Sequence, residues 1–237
     1  MIRPFIIVAL LLVALLQLAR AENAHDDYVT CMSNPAIPVH VTPRFDTPAY
    51  DFSKNIGTIM SIAADTRHTI HEGLTLGLTR YEPVITVQAP MVGITTSRGN
   101  GCTYVKEANV TVGYQDVRVY IASEIPQGTC GFNEVMGHEQ KHINVNMRIL
   151  QEYMPRIANE INAYLRVYGV RHENDVNQAS AEIKQKLHDI INTVLAEMTQ
   201  ENQRLQQGVD TPAEYARVSA SCNGQLRTVV GRFQHQR

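Results

Sequence analysis

The stretch that decides the fold reads His-Glu-Gln-Lys-His over residues 138–142. On a helix, residues four apart lie on one face, so the side chains of His138 and His142 point in the same direction. Two neutral imidazoles with this spacing bind Zn²⁺, and the carboxylate of Glu139 is placed to act as a general base. The motif therefore predicts a zinc-dependent hydrolase, with His138 and His142 as metal ligands and Glu139 as the catalytic residue. The alternative is a surface helix that carries two solvated histidines.

The residues around the motif predict a long helix. Asn133 is a good N-cap residue, and Glu134 suits the positive end of the helix dipole. From there to Tyr168 only Pro155 opposes a helix, and it either kinks one helix or starts a second. Gly137 lowers helix stability near the first turn, and we expect it to let another backbone pass close to the metal face.

Two more helices are predicted after this one. Gly169 and the polar residues 171–175 indicate a turn, and apolar residues at helical spacing then run from Val176 to Gln206. Thr-Pro-Ala-Glu at 211–214 matches a capping box with proline at the first helical position, which predicts a last helix over residues 212–230. The helical region therefore covers about residues 133–231.

The motif supplies two of the three protein ligands that a catalytic zinc site needs. The third histidine of the metzincin pattern is absent, which leaves a downstream glutamate. The candidates are Glu152, Glu160, Glu173, Glu197 and Glu201. A chain reversal near residue 172 would make an antiparallel helical hairpin and bring Glu201, and then Glu197, to the level of His142. Glu160 qualifies only if the chain reverses near Pro155. We expect Glu201, with Glu197 and Glu160 as alternatives to it; each is otherwise a solvated helix position.

The chain before the motif has the composition of β-structure. Residues 28–125 are rich in Val, Ile, Thr, Gly and Pro, and strands followed by helices indicate an α+β fold. We expect a small antiparallel or mixed sheet in this half of the chain. Alternating residues at 110–112 and 117–121, separated by residues 113–116, predict a β-hairpin. Helically spaced apolar residues within 51–72 predict a short helix.

The N-terminus has the pattern of an export signal. Arg3 precedes an apolar run from Phe5 to Leu18, and Ala-Arg-Ala at 19–21 offers the small residues of a cleavage site. We take residues 1–21 as a signal peptide and residues 22–237 as a single domain. The run is shorter than the roughly 20 residues of a comfortable membrane span, so an uncleaved anchor is the alternative. The expected location is periplasmic or secreted, with no stable membrane span after cleavage.

Four cysteines, Cys31, Cys102, Cys130 and Cys222, follow the signal. In an exported chain they predict two disulfides, with three possible connectivities. We expect Cys102–Cys130 to tie a β-segment to the loop before the motif. Cys31–Cys222 would then join the mature N-terminus to the C-terminal region.

Three stretches together resemble a known family. They are Val-Arg-Val-Tyr-Ile-Ala-Ser-Glu-Ile-Pro at 117–126, Gly-Thr-Cys at 128–130 and the motif at 138–142. In these the chain is similar to secreted bacterial proteins described as predicted zinc-dependent proteases, over about residues 75–225. The resemblance implies a zincin-like fold with the two histidines as ligands and Glu139 as base. Asn144 departs from the family, in which some members have an acidic residue there. A strand upstream of a zincin helix pairs with extended substrate, so residues 117–122 are either such an edge strand or an interior strand.

The sequence therefore predicts an exported zinc metallopeptidase that acts on a peptide or protein substrate. The alternative is a non-catalytic envelope protein whose helical hairpin binds a partner, with the metal absent or structural. A formal net charge of −2 gives no support for a nucleic-acid partner. The sequence leaves the oligomeric state, the substrate and the cleavage preference open.

Overall fold

The computed structural model describes residues 35–65, 75–95, 101–173 and 175–235, together with Val29, Cys31 and Ser33. The predicted signal peptide lies outside these residues. The fold is α+β, as expected, with the strands in the N-terminal half and three long helices after them. In chain order the elements are β1 (Val39–Phe45), β2 (Ala49–Asp51), α1 (Ile56–Asp65), β3 (Gly77–Gln88), β4 (Met91–Thr95), β5 (Gly101–Val105), β6 (Ala108–Ile121), α2 (Cys130–Tyr168), β7 (Val170–Arg171), α3 (Val176–Val209) and α4 (Pro212–His235). Across these ranges, no helix is both long enough and apolar enough to cross a bilayer.

The chain divides into two compact units. Of the described residues, those up to His40 and those within 87–110 and 157–192 form the first unit, and those within 41–86, within 111–156 and from Thr193 onward form the second. The expectation of a single domain over residues 22–237 stays a prediction.

The first unit contains a three-stranded antiparallel sheet in the order β4-β5-β7. The middle strand is buried along its whole length. Its Cys102 forms a disulfide with Cys31, and Tyr104 packs with both cysteines in a small core. This disulfide fixes the segment before β1 to the middle of the sheet.

The second sheet is built around β6. Strands β1 and β2 pair with it, β2 in parallel with Tyr50 opposite Val119, and β3 also pairs with it. The predicted hairpin at residues 113–116 is wrong, because β6 continues through these residues as one strand of 14 residues. Gly113 is required by a close approach, since a Cβ there would lie 1.7 Å from the carbonyl oxygen of Arg44 in β1. Asp116 has a φ of 48° within the strand. Glycine and aspartate are both common in turns. Here Gly113 allows the close approach of β1, and Asp116 marks a local distortion of the strand.

The second unit has its core where α1, the start of β3, the end of β6, α2 and α4 meet. The buried residues of this core are Ile56, Ile59, Ala63, Leu78, Tyr120, Ile121, Ala122, Ile125, Phe132, Val135, Val218 and Leu226. The helix predicted within residues 51–72 is confirmed in this core as α1. The core packs the first turns of α2 against both the sheet and the last helix.

The helix that carries the motif begins earlier than predicted. It starts at Cys130, and Thr129 rather than Asn133 caps it, since the backbone N–H of Phe132 donates to Thr129 Oγ1 at 3.3 Å. Pro155 lies inside one helix that continues to Tyr168. The later helices agree with their predicted ranges, and Thr211 caps α4 by accepting from the N–H of Glu214 at 3.1 Å.

The second disulfide joins Cys130, at the start of α2, to Cys222 in α4. Helix α4 is kinked over residues 221–224, and the chain there brings Cys222 to a Cα–Cα distance of 5.7 Å from Cys130. The expected pairs Cys102–Cys130 and Cys31–Cys222 are therefore wrong. Each cysteine bonds within its own compact unit, because a disulfide forms only between residues that the fold already places within about 7 Å.

Candidate metal centre

Three side-chain atoms converge at one point of the second unit. They are Nε2 of His138, Nε2 of His142 and Oδ1 of Asp210. Asp210 Oδ1 lies 3.2 Å from the first nitrogen and 3.3 Å from the second, and the two nitrogens are 3.3 Å apart. The histidines come from neighbouring turns of α2, as the motif predicts, and Asp210 occupies the break between α3 and α4. These three residues form a group that could hold a metal ion.

The spacing of the three atoms fits a tetrahedral metal ion. A tetrahedron with edges of this length has its centre about 2.0 Å from each corner, which matches the zinc–nitrogen and zinc–oxygen bond lengths found in proteins. Two imidazoles and a carboxylate suit zinc, and they also suit other divalent first-row metals. Without a cation or a proton, three electron-rich atoms would face one another at van der Waals distance. The geometry therefore fits a metal site with three protein ligands.

Within the ligand group, His142 and Asp210 shift each other's pKa. Burial lowers the pKa of His142, but the hydrogen bond to Asp210 and the charges of Glu139 and Asp210 outweigh it and raise the pKa to about 9. Burial raises the pKa of Asp210, but hydrogen bonds from His138 and His142 outweigh it and hold the pKa well below its usual range. Both pKa shifts favour a protonated His142 beside an ionised Asp210 in the metal-free protein.

Glu139 lies beside this group in a closed environment. Glu139 is only 3% exposed, and Thr79 Oγ1 on β3 donates a hydrogen bond to its Oε2 at 2.8 Å. Burial raises the pKa of Glu139, against the opposing charges of His142 and His138. The carboxylate also lies against Gly77, where a Cβ would come within 2.5 Å of Oε1. The glycine at the start of β3 therefore makes the space that the carboxylate occupies.

The glycine expected to serve this purpose was Gly137, and the structure gives it no such role. A Cβ at Gly137 would meet nothing within 4 Å. The close approach to the motif comes instead from β3, at Gly77, which no local pattern around the motif indicates.

The first turns of α4 line one side of the group. Tyr215 Oη donates to Asp210 Oδ1 at 2.8 Å, and its ring lies 5.7 Å from that of His138. Glu214 Oε1 is 3.6 Å from Nδ1 of His138, which is buried and has no hydrogen-bond partner among the described residues. Lys141 and Arg217 both bind Glu214, and these two cations, Arg217 first, lower its pKa to about 2. An ionised carboxylate therefore faces the outer nitrogen of His138.

Hydrogen bonds also surround His142 on the side away from Asp210. Its Nδ1 lies 2.5 Å from Oε1 of Gln206 on α3. Behind Gln206, the amides of Asn146 and Asn202 continue the network into the interior.

None of the expected glutamates belongs to the group. Glu201 is paired with Arg204, and Glu197 is paired with Arg156, both on exposed surfaces. Glu160 is exposed on α2 in the first unit. The hairpin argument placed residue 202 opposite His142, which is one turn too early, because Gln206 contacts His142 and Asn202 contacts Asn146. Glu201 is also next in sequence to the inward-facing Asn202 and so points about 100° away from it.

A sequence signal for the third ligand does exist. Asn202, Gln206 and Asp210 are spaced by four, and they meet Asn146, His142 and His138, which are also spaced by four, in reverse order. Polar residues repeating on one helix face opposite the motif would have indicated Asp210. The zinc-ligand roles of His138 and His142 and the catalytic role of Glu139 themselves remain predictions.

Two alternatives stand for residues 117–122, a substrate-guiding edge strand and an interior strand. Residues 117–122 overlap the end of β6, which has strands paired with it as the interior strand of its sheet. Strand β3, which contacts Glu139 through Thr79, pairs only with β6 among the described strands. The interior-strand alternative is therefore the correct one for residues 117–121, and β3 is the edge nearest the motif.

Comparisons of the chain with protein families, with curated proteins and with solved structures each gave no match. The function must therefore be argued from the site itself.

Proposed function

We propose that this protein is an exported zinc metallopeptidase, with His138, His142 and Asp210 as the metal ligands and Glu139 as the catalytic base. The observation that carries the proposal is the triangle of donor atoms, with edges of 3.2, 3.3 and 3.3 Å, beside a buried carboxylate. Three protein ligands are the number found in catalytic zinc sites, which keep one position for water or substrate.

Zinc bound at this group would polarise a peptide carbonyl and lower the pKa of bound water, so that water could act as a nucleophile near neutral pH. Glu139 would accept the proton of the attacking water and pass it to the leaving amine. Burial raises the pKa of Glu139, which is the direction that suits a carboxyl group that must both accept and return a proton. Thr79 would keep the carboxylate in place during the transfer.

Strand β3 supports a peptide as the substrate. Its first residues contact Glu139, and within the described sheet only one of its edges is paired. An extended peptide can add to a free strand edge through backbone hydrogen bonds. A substrate bound along β3 would therefore pass close to the ligand group.

The expected location follows from the same proposal. Two disulfides lie within the described residues, as is usual for a protein that folds in an oxidising compartment. We place the mature protein in the periplasm or outside the cell.

The test is metal content together with hydrolysis of an unstructured protein such as casein. Purified protein should contain about one zinc per chain, and Glu139→Gln should lower kcat/KM by at least about 100-fold with zinc content unchanged. Glu201→Gln is the matched control, because Glu201 is a half-buried glutamate that is bound to Arg204 and lies outside the ligand group. Full activity in Glu139→Gln would rule out the mechanism.

A structural metal site in a non-catalytic envelope protein is the second candidate. The burial of His138 and Glu139, 8% and 3% exposed, favours it, because structural zinc sites are closed to solvent. It predicts that chelation lowers the melting temperature in a protein with no hydrolytic activity.

A further inference from the structure

A buried row of amide side chains adjoins the ligand group and has no part in the proposed chemistry. It consists of Gln206, Asn146 and Asn202. Asn146 is fully buried and Asn202 is 6% exposed, and Oδ1 of Asn146 is hydrogen-bonded within the row, whereas its Nδ2 has no partner among the described residues. The row ends on His142, whose Nδ1 lies 2.5 Å from Gln206 Oε1. This contact determines which nitrogen of His142 carries the proton.

The backbone carbonyl of His142, whose oxygen can only accept hydrogen bonds, fixes the orientation of the Gln206 amide. Its Nε2 lies 3.3 Å from the backbone carbonyl oxygen of His142. A carbonyl oxygen only accepts hydrogen bonds, so the NH2 group must face it. The amide oxygen of Gln206 then faces Nδ1 of His142, and this nitrogen must be the donor. A flipped amide would place oxygen against oxygen.

Asn146 and Asn202 reinforce this orientation. Gln206 Nε2 donates to Asn146 Oδ1 at 2.9 Å, and Asn202 Nδ2 donates to the same oxygen at 3.0 Å. Asn202 Nδ2 also lies 3.2 Å from the hydroxyl of Tyr114. Two donors on one buried carbonyl oxygen use both of its lone pairs, so each amide holds the next in place.

We infer that Gln206 is a positioning residue that holds the proton of neutral His142 on Nδ1 and so presents the Nε2 lone pair to the metal. Asn146 and Asn202 fix the Gln206 amide in the orientation that this requires. The inference rests on the proposed metal site and adds to it the residues that select the ligating nitrogen. It concerns binding of a divalent metal such as zinc, whichever substrate the site acts on.

The size of the expected effect comes from other metal sites. The outer partner of a ligating histidine fixes its tautomer and ring orientation, and its loss typically lowers metal affinity 10–100-fold. Gln206→Met keeps the length and volume of the side chain but removes the acceptor. Gln206→Glu keeps an acceptor toward Nδ1 of His142 but replaces the NH2 group that donates to the His142 carbonyl oxygen and to Asn146 Oδ1, so its cost is expected in stability and not in the choice of tautomer. An effect of tautomer selection should therefore appear in the first variant and not in the second.

The experiment measures zinc affinity of the oxidised mature protein by competition with a chromophoric chelator. Gln206→Met should weaken zinc binding about 10–100-fold, and Gln206→Glu should stay within a few-fold of wild type. Gln207→Met is the matched control, because Gln207 is the neighbouring glutamine on α3 and is exposed. Its zinc affinity should equal that of wild type. Circular dichroism of each variant checks that the helices are retained.

A second measurement reads the tautomer directly. In zinc-loaded protein labelled with ¹⁵N-histidine, long-range ¹H–¹⁵N correlations should show His142 with a proton on Nδ1 and with Nε2 ligated. Equal zinc affinity for Gln206→Met and wild type, or ligation through Nδ1, would overturn the inference while leaving the metal site intact. Wild-type protein that binds no zinc would overturn both the inference and the proposed function.

Discussion

At the scale of single residues, the absence of a side chain at Gly77 makes room for the Glu139 carboxylate. A Cβ at this position would lie 2.5 Å from Glu139 Oε1 and 2.7 Å from Val135 Cγ1. Neither neighbour is free to move, because the carboxylate is also held by Thr79 and Val135 is buried in the core. The position of the proposed catalytic carboxylate is therefore set partly by a residue 62 positions before it in the chain.

We expect Gly77→Ala to push the carboxylate out of its place. Overpacking of this kind costs about 1–3 kcal/mol, so the free energy of unfolding from urea denaturation should fall by that amount. Hydrolysis should fall with it, at unchanged zinc content. Gly137→Ala is the control in the same region, because its new Cβ meets nothing within 4 Å. This control should be neutral or stabilise the helix by about 0.5–1 kcal/mol. Equal stability of Gly77→Ala and wild type would contradict the packing argument.

Sequence reasoning at this scale succeeds where spacing along one element decides, and it fails where two elements must meet. His138 and His142 converge because both lie on one helix. Counting from the turn did not locate Asp210, because it placed residue 202 opposite His142, whereas Gln206 lies there and Asp210 follows one turn later, in the break after α3. No local sequence pattern indicated that residue 77 must be glycine, because the requirement comes from the side chain of Glu139 on another element.

Among the elements, α4 is the one that closes the site from the C-terminal side. Its Glu214 and Tyr215 contact the ligand residues, and it is held to the start of α2 by the Cys130–Cys222 disulfide. Gln225 Oε1 accepts from the backbone N–H of Gly131 at 3.0 Å just beyond the kink. The kink at 221–224 therefore directs the chain so that both halves of α4 contact α2.

Removal of this disulfide should loosen α4. The bond closes a sequence separation of 92 residues, and disulfides of this kind contribute about 2–4 kcal/mol. The double variant Cys130→Ser with Cys222→Ser should lose a free energy of unfolding of that size, measured by urea denaturation. A non-reducing peptide map of the wild type should contain the Cys130–Cys222 and Cys31–Cys102 pairs. An unchanged free energy of unfolding in the double variant would show that α4 is held by packing alone.

The elements also show the limit of local turn signals. Gly113 and Asp116 predicted a hairpin because both residue types favour turns. In the fold they lie inside β6, where the glycine admits the backbone of Arg44 and Asp116 adopts a positive φ. The long helices were predictable because their apolar spacing extends over many turns. One long strand and a two-stranded hairpin have similar alternating patterns, and the pairing with distant strands decides between them.

For the whole molecule, the ligand group connects distant parts of the chain. Asp210 is 68 residues from His142 in sequence, so a metal held by both links α2 to the junction of α3 and α4. A ligand that binds only the folded state stabilises it by mass action. Zinc should therefore raise the melting temperature, and a chelator should reverse the rise.

The rise in melting temperature should depend on pH. The pKa of His142 is raised to about 9 in the folded, metal-free protein, from 6.5 for an ordinary histidine. Protonated His142 therefore stabilises the metal-free fold below pH 6.5, and this contribution is lost as the pH rises through 9. Zinc must displace the same proton, so zinc affinity should increase about tenfold per pH unit within that window. The pKa of Asp210 lies far below this window, so its carboxylate stays ionised throughout.

We therefore expect the difference in melting temperature between zinc-loaded and metal-free protein to widen from pH 6.5 to pH 8.5. This is one effect with two readouts, because the proton that stabilises the metal-free fold is the proton that zinc displaces, so its loss with rising pH appears as tighter zinc binding. Differential scanning calorimetry with and without chelator, in buffers that do not bind zinc, measures both states. In His142→Ala the metal-free protein should lose this part of its pH dependence. A zinc-induced shift that is constant over the range would show that the metal does not replace a proton on His142, and it would place the metal elsewhere in the protein.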